Sequence, residues 1–428
     1  MLSKYFQFEN RQTSLRQEIT AGITTFLTMA YIIFVNPSIL SEAGMDRSAL
    51  IVVTCLIAAI STILMGVIPN VPIAMAPGMG MNAFFTYTLV QTYGMSWQAA
   101  LGIVFWAGSI FLILSLVGAR EKILQAIPDS LVSAIAAGIG LFILFIGMKN
   151  MGLIVGNPAT LLSLGTFTPE VILGIIGLFI SIILLVQGIQ GAILIGIVVI
   201  TILAMILGKV DLPTQIFSTD LSISAISFEF DLWAALKWSL IGPIFALMFI
   251  DLFDTLGTLV ACAHEAKLVE KDGKIKNLNK MLNIDAIATM LSGVLGSSPT
   301  TSYVESASGI AAGGKTGFTS VVTGALFLIS LLFIPVIGVV PAYATAPALI
   351  IVGMMMLKSI KNIQFDAYEE SFPALLTITT MVFSFQISTG LAIGFLSWGI
   401  IKLFLLKVKE ISWVMWIIMA LSALSLVV

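Results

Sequence analysis

PIFALMFIDLFDTLGTLV, residues 243–260, is apolar enough and long enough to cross a bilayer, yet it carries Asp251 and Asp254. An acid near the bilayer centre costs at least about 2.5–3.5 kcal/mol on insertion scales, so such residues are kept where they are used. Three positions separate the two carboxylates, so a helix presents them on one face. Thr255 and Thr258 extend that polar patch. The plainer alternative is a helix–helix hydrogen bond or a buried salt bridge, but the same run holds no Lys or Arg.

The rest of the chain has the same character. Of 428 residues, 59% are hydrophobic and 10% charged, against about 25% charged in soluble domains. The mean hydropathy is +1.09. This is an all-α polytopic protein of the cell (plasma or inner) membrane, with the lipid bilayer as its solvent. A net charge of −2 gives no basis for a nucleic-acid partner. Cys55 and Cys262 lie in or beside apolar segments and imply no disulfide framework. One histidine, His264, cannot make a histidine metal cluster and reads as a solvated interfacial residue. The opening MLSKYFQFENRQTSLRQE reads as a surface segment. The first apolar stretch is too long for a signal peptide.

Working outward from 243–260, apolar stretches fall at 17–40, 49–68, 72–90, 97–118, 130–149, 170–187 and 189–208. A polar loop spans 209–236. A second set follows at 238–262, 281–296, 300–313, 317–335, 340–357, 372–387 and 389–406, and an apolar run at 411–428 is left over. With the N-terminus cytoplasmic and the segments alternating, only Arg47, Lys149, Lys209 and Lys237 of the 20 Lys and Arg fall outside. That asymmetry is what the positive-inside rule demands. Fourteen transmembrane segments divide as seven and seven, and an odd number per half inverts the second copy, giving a 7+7 inverted repeat. TPEVILGIIGLFISIILLVQGIQGAILIGIVV at 168–199 is echoed by SFPALLTITTMVFSFQISTGLAIGFLSWGII at 371–401. Each is a proline-led apolar helix, a polar turn with Gln and Gly, and a second apolar helix.

Segments three and ten are interrupted. VPIAMAPGMGMNAFFTYTLV at 71–90 carries Pro72, Pro77, Gly78 and Gly80, and GSSPTTSYVESASGIAAGG at 296–314 carries Pro299 and Glu305. Such residues break a helix and favour a short extended stretch leading into one. Irregular backbone at membrane depth is tolerated only where it is buried or lines a cavity. Interrupted segments in matched positions point to a transporter's binding site. The plainer reading is two kinked helices, or a surface loop at 296–304.

Candidate site residues converge from these places: Asp251 and Asp254 from segment eight, Glu305 at the start of the helical part of segment ten, and Gly80 and Asn82 in segment three. Helix starts offer unused backbone N–H groups. Carboxylates accept N–H donors, and Asn82 offers both a donor and an acceptor. Phe84 and Phe85 supply a candidate stacking wall. Such a set suits a small, flat, near-neutral solute with N–H donors and ring acceptors, such as a nucleobase, and repels a simple anion. Hard cations also take several oxygens, so the acids alone do not exclude one. Buried, mutually repelling carboxyl groups favour holding a proton, which suggests proton coupling. Asp251 and Glu305 are the coupling candidates.

The same segments resemble a known family. APGMGMNAFF at 76–85, FIDLFDTLGTL at 249–259, TSYVESASGI at 301–310 and GITTFLTMAYIIFVNPSIL at 22–40 are similar to signature segments of the AzgA-like guanine/hypoxanthine/adenine permeases. These form a branch of the nucleobase–cation symporter-2 (nucleobase–ascorbate transporter) superfamily. The resemblance covers essentially the whole chain. It implies a UraA-like fold of fourteen segments with short extended stretches in segments 3 and 10. It also implies a core domain (1–118 and 237–336) and a gate domain (119–208 and 337–428), separated in part by an extracytoplasmic loop at 209–236. The implied activity is uptake of a purine nucleobase with a proton by an elevator-like movement of the core against a homodimeric gate. Its functional positions fall on Gly80, Asn82, Asp251, Asp254 and Glu305. No cofactor and no enzymatic activity is implied. The run at 411–428 departs from the pattern. Rival readings are a carrier of a pyrimidine or small anion on the same fold, an ion channel, and an intramembrane aspartyl hydrolase. Sodium in place of the proton also stays open.

Overall fold

A computed structural model describes residues 2–118, 123, 126–213, 215–218, 221–237, 240–269 and 275–427. Arg120, Lys122, Lys271 and Lys274, counted above as cytoplasmic charges, lie outside the described residues, as do positions 238–239 at the expected start of segment eight.

The chain is mainly helical. Among the described residues, nine helices are long and apolar enough to cross a membrane by length and composition. The first expected segment is two pieces in line, α1 (Leu15–Met29) and α2 (Ile32–Ser41), with the break at Ala30–Tyr31. Then come α3 (Arg47–Val67), β1 (Met75–Pro77), α4 (Met79–Ala83), α5 (Trp97–Leu116) and α6 (Asp129–Asn150). A hairpin, β2 (Ile154–Asn157) and β3 (Leu161–Leu164), leads to α7 (Pro169–Val186) and α8 (Ala192–Ile206). The second half holds α9 (Ile241–Glu265), α10 (Leu278–Leu295), β4 (Thr300–Ser302), α11 (Ser306–Ala311), α12 (Gly317–Ser330), α13 (Ala342–Met356), α14 (Tyr368–Ser384), α15 (Ile387–Phe404) and α16 (Trp413–Val427). Many starts are capped by side chains: Ser14, Asp46, Ser96, Thr168 and Thr316 each accept a backbone N–H two or three residues on.

The interrupted segments meet. β1 and β4 pair antiparallel, Met75 opposite Ser302 and Pro77 opposite Thr300. Gly78 N donates to Pro299 O at 2.9 Å, and Tyr303 N to Ala74 O at 2.9 Å. Thr62 on α3 closes the free edge of β1, its hydroxyl bonding both Met75 N and Met75 O at 2.9 Å. Every residue of both strands is buried. Backbone that leaves the helix at this depth is thus satisfied by protein, as it must be away from water. After α4 the chain continues as a wide π-helical stretch over Phe84–Thr92.

The most extensive helix contacts fall into two sets. α12 packs on α1 and α3, and α10 on α3 and α5, with α9 against α5. Separately, α6 packs on α13 and α14, α13 on α7 and α8, and α14 on α15. Lipid tails are as apolar as side chains, so close van der Waals fit rather than burial from water drives such packing. At the α5–α10 crossing, a Cβ added to Gly293 would stand 2.9 Å from Phe105 N, and one on Gly108 2.8 Å from Met290 N. Only glycine allows that approach.

Three details differ from the sequence reading. The opening segment is mostly exposed, as a surface segment is, but Phe6 and Phe8 anchor it, buried against Phe318. Glu18 is fully buried, accepting from Thr13, Thr316, Thr319 and the amide of Lys315. The helix led by Pro373 begins a turn earlier, at Tyr368. There Glu369 and Glu370 meet Lys402, and Glu369 also meets Lys407. The leftover run forms α16, which packs against both α15 and α9.

Candidate functional site

Asp254, Glu305 and Gly80 line one small cavity of about 70 Å³, together with Tyr31, Thr301, Ser302 and Tyr303. The local structure explains the meeting. Asp254 projects from the middle of α9, one turn above Thr258, which lines the same cavity. Glu305 caps α11 directly after β4. Met79 and Gly80 open α4 directly after β1. Because β1 and β4 pair antiparallel, α4 and α11 start from opposite ends of one short ladder, and both starts border the cavity. Val352 and Met356 of α13 close the far wall, so the cavity lies between the two sets of packed helices.

The polar groups have distinct states. Tyr31, at the break between α1 and α2, donates its hydroxyl to Glu305 Oε1. Tyr303 donates to Pro77 O at 2.6 Å. Ser302 Oγ is buried and has no partner within the protein. Asp254 and Glu305 line the same cavity, and among the described residues no Lys, Arg or His lines it. The two helix starts are not alike. Amides at the start of α4, where Met79 and Gly80 line the cavity, are not used by the helix itself. At α11 the first amides are already spent: Ser306 N donates to Tyr303 O at 3.1 Å and Ala307 N to Val304 O at 3.0 Å. Thus α11 contributes its carboxylate, and α4 contributes donors.

Asp251 and Asn82 are elsewhere. Asp251 is 2% exposed and faces α10, accepting from Thr289 Oγ1 at 3.1 Å. Thr289 also reaches Thr300 O at 3.1 Å, and Thr255 joins Asp285 Oδ1 at 2.7 Å to Thr301 Oγ1 at 2.8 Å. Asn82 lies inside the first turn of α4 rather than at its start, its Oδ1 accepting from Ser298 Oγ. Asp251 braces β4 through Thr289, Asn82 holds Ser298 just ahead of that strand, and neither lines the cavity. Phe84 and Phe85 are fully buried and form no wall of it. A Cβ on Gly80 would stand 2.5 Å from Ile139 of α6, and one on Gly78 2.9 Å from Thr301 Cγ2 and 3.5 Å from Asp254 Oδ2.

Sequence reasoning missed Tyr31, Ser302, Tyr303 and Asp285. Tyr303 and Ser302 flank Glu305 inside an already suspicious segment and could have been included. Tyr31 has only one signal, a polar tip at the point where the first segment breaks.

The cavity adjoins a larger space. Glu305 and Val304 also line a hollow of about 310 Å³ beside the α7–α8 turn, with Gln190 and Gly191. Outside the cavity lining, Phe385 stands edge-on to Tyr87, Phe142 and Phe145 at 5.9, 5.0 and 5.5 Å. Glu42 accepts from Tyr87 OH at 2.9 Å and Asn150 Nδ2 at 3.2 Å, and Lys149 stands 3.7 Å from it.

Comparison with known proteins gives a consistent family. The profile described as "Permease family" matches residues 16–393. The chain is 43% identical to the adenine permease AdeP of Escherichia coli K12, over 96% of this chain and 93% of that one. It is 42% identical to the guanine/hypoxanthine permease PbuG of Bacillus subtilis 168, over 97% of each. Among solved structures, the transmembrane domain of the cyanobacterial bicarbonate transporter BicA matches with a TM-score of 0.66. That match covers 89% of this chain and 97% of the other at 15% identity, a likeness of fold alone. A match this long, with relatives this similar along their whole length, means that the chain belongs to the permease family of nucleobase–cation symporter-2 proteins, in its AzgA-like branch.

Proposed function

We propose that this protein is a secondary transporter that imports a purine nucleobase, hypoxanthine, guanine or adenine, together with a proton. The observation that carries the reading is the shared cavity of Asp254 and Glu305, two carboxylates from separate elements with no cationic side chain beside them among the described residues. A neutral, flat ring with several N–H groups satisfies both acids. Its ring acceptors meet the amides of Met79 and Gly80 and the hydroxyl of Ser302. Transport relatives with purine names, adenine for AdeP and guanine/hypoxanthine for PbuG, favour that solute over a pyrimidine or an anion. Asp251 and Asn82 act from behind the cavity wall. Asp251 and Glu305 are the proton-coupling residues.

In this reading the chain has fourteen segments as a 7+7 inverted repeat, in the cell membrane with a cytoplasmic N-terminus. The core is 1–118 with 237–336, and the gate is 119–208 with 337–428, through which two copies dimerise. The core carries the cavity past the gate in an elevator movement. Glu305 borders the hollow beside the α7–α8 turn, the cytoplasmic side by charge asymmetry, so this conformation faces inward. No catalytic step is assigned.

The test is uptake of labelled hypoxanthine, guanine, adenine and uracil into proteoliposomes, with and without an acidic exterior. Saturable purine uptake, driven by the pH difference and lost when it is collapsed, is the expected result. Uptake of none of the bases, or of uracil alone, would overturn the substrate assignment. Uptake that ignores the pH difference would overturn the coupling.

A further inference from the structure

A further large hollow has an almost wholly apolar lining among the described residues. It measures about 600 Å³ and lies between α1–α2, α8 and the segment that follows α12, bounded among others by Phe26, Phe34, Val198, Ile202 and Ile329. Two hydroxyls stand in its wall, and both are spent on their own helices: Thr201 Oγ1 donates to Ile197 O at 2.8 Å and Ser330 Oγ to Leu326 O at 2.9 Å. Among the described residues, no side-chain donor in its lining is left unused. Its open edge is apolar too, with Val198, Ile202 and Ile329 about half exposed. At one end it is roofed by Leu212 and Pro213. That part of the loop is tied down by Ser218 N donating to Leu332 O at 3.0 Å and by Phe217 against Phe333 at 5.2 Å.

The other half of the chain has a comparable junction, where α15 meets α9. There the space between the helices is filled: α16 packs against both, and only about 20 Å³ is left, beside Gly242, Phe249, Phe395 and Ser422. One junction is therefore sealed by an apolar helix of the chain itself, and the other lacks any such helix among the described residues.

We propose that this groove is a lipid site, holding an acyl chain of a phospholipid from the leaflet on the side of residues 209–236. The surrounding medium in these segments is hydrocarbon, and a dry apolar gap forfeits the dispersion contacts of its whole lining. A flexible chain entering past Val198 and Ile202 restores them, as α16 does at the other junction. The occupant lies between α8 and α1–α2, helices that the reading above assigns to gate and core. Lipid would thus be an integral packing piece of the sliding interface.

The test uses the full-length protein in proteoliposomes with a phospholipid bearing a photoreactive group at the end of one acyl chain. Peptide mapping should find labelling at Ala30, Val198 and Ile329 several-fold above that at Phe179, an exposed residue of α7 outside the groove. In mild detergent, native mass spectrometry should show the loss of one phospholipid per chain in Val198→Trp, which fills the groove, but not in Phe179→Trp. Equal labelling at groove and control sites, or lipid retention unchanged by Val198→Trp, overturns the proposal. So does an inter-chain cross-link from Ile329→Cys, which would make a second copy the occupant. None of these readouts needs transport, so they stand apart from the purine assignment.

Discussion

Tyr31 and Glu305 are hydrogen-bonded across 274 positions of sequence, the phenol donating to carboxylate Oε1 at the edge of the cavity. The bond holds the one acid that borders both the cavity and the adjoining hollow. A hydrogen bond to a charged group contributes about 1.5–3 kcal/mol, so Tyr31→Phe should raise the KM for purine uptake on the order of tenfold or more. Glu305→Gln should abolish uptake with the protein still in the membrane. Initial-rate uptake measures both, and a wild-type KM in Tyr31→Phe would reject the positioning role.

The two aspartates of α9 should separate. Asp254 lines the cavity and Asp251 does not, being bonded instead to Thr289. Asp254→Asn should therefore lose base binding. Asp251→Asn should lose accumulation driven by a pH difference while still exchanging labelled for unlabelled base across the membrane. Loss of exchange in Asp251→Asn with binding intact in Asp254→Asn would reverse the assignment.

Phe385 stands edge-on to Tyr87 and Phe142 in the turn between α14 and α15. It does so in a left-handed backbone conformation, φ 58°, at the end of α14. Phe385→Ala removes the ring and should favour the outward-open state. With Cys55 and Cys262 replaced, a cysteine at Ser302 should then react faster with a thiol reagent added from outside. An unchanged rate would mean that the aromatic cluster does not control access.

The α5–α10 crossing has no room for a side chain at Gly293, where the nearest atoms are backbone: Phe105 N at 2.9 Å and Leu101 O at 3.0 Å. Overpacking of this kind costs typically about 1–3 kcal/mol. Gly293→Val should lower the thermal midpoint of the purified protein by several degrees, and Gly257→Ala, which meets open space, should not. Equal midpoints for the two variants would show that the helices yield more easily than their geometry suggests.

Sequence alone made some of this readable. Asp254 and Glu305 stood out because a carboxylate within an apolar run has few reasons to be there, and Pro77 and Pro299, beside Gly78 and Ser297–Ser298, marked the strands because proline lacks the N–H that an interior helix position uses. The register joining those strands was not readable, since it depends on contacts made by residues far apart in the chain. Asp251 and Asp254 share a helix face in sequence terms, but three residues turn a helix by less than a full circle. That offset is enough to send one toward the cavity and the other toward Thr289. Asp285 escaped notice because Lys280 and Asn283 made its neighbourhood look like the wet end of a segment. Tyr31 sat among too many aromatics to be singled out.

The pairing of β1 with β4 also bears on how the molecule is made. Tyr303 bonds to a carbonyl 226 positions earlier, at Pro77, and the strand beside it supplies the ladder partners for Met75–Pro77. During synthesis the earlier strand must enter the membrane long before its partner has been translated. A nascent chain halted ahead of residue 300 therefore holds bare peptide groups within the lipid, and until the ribosome passes that point the insertion machinery has to shelter them.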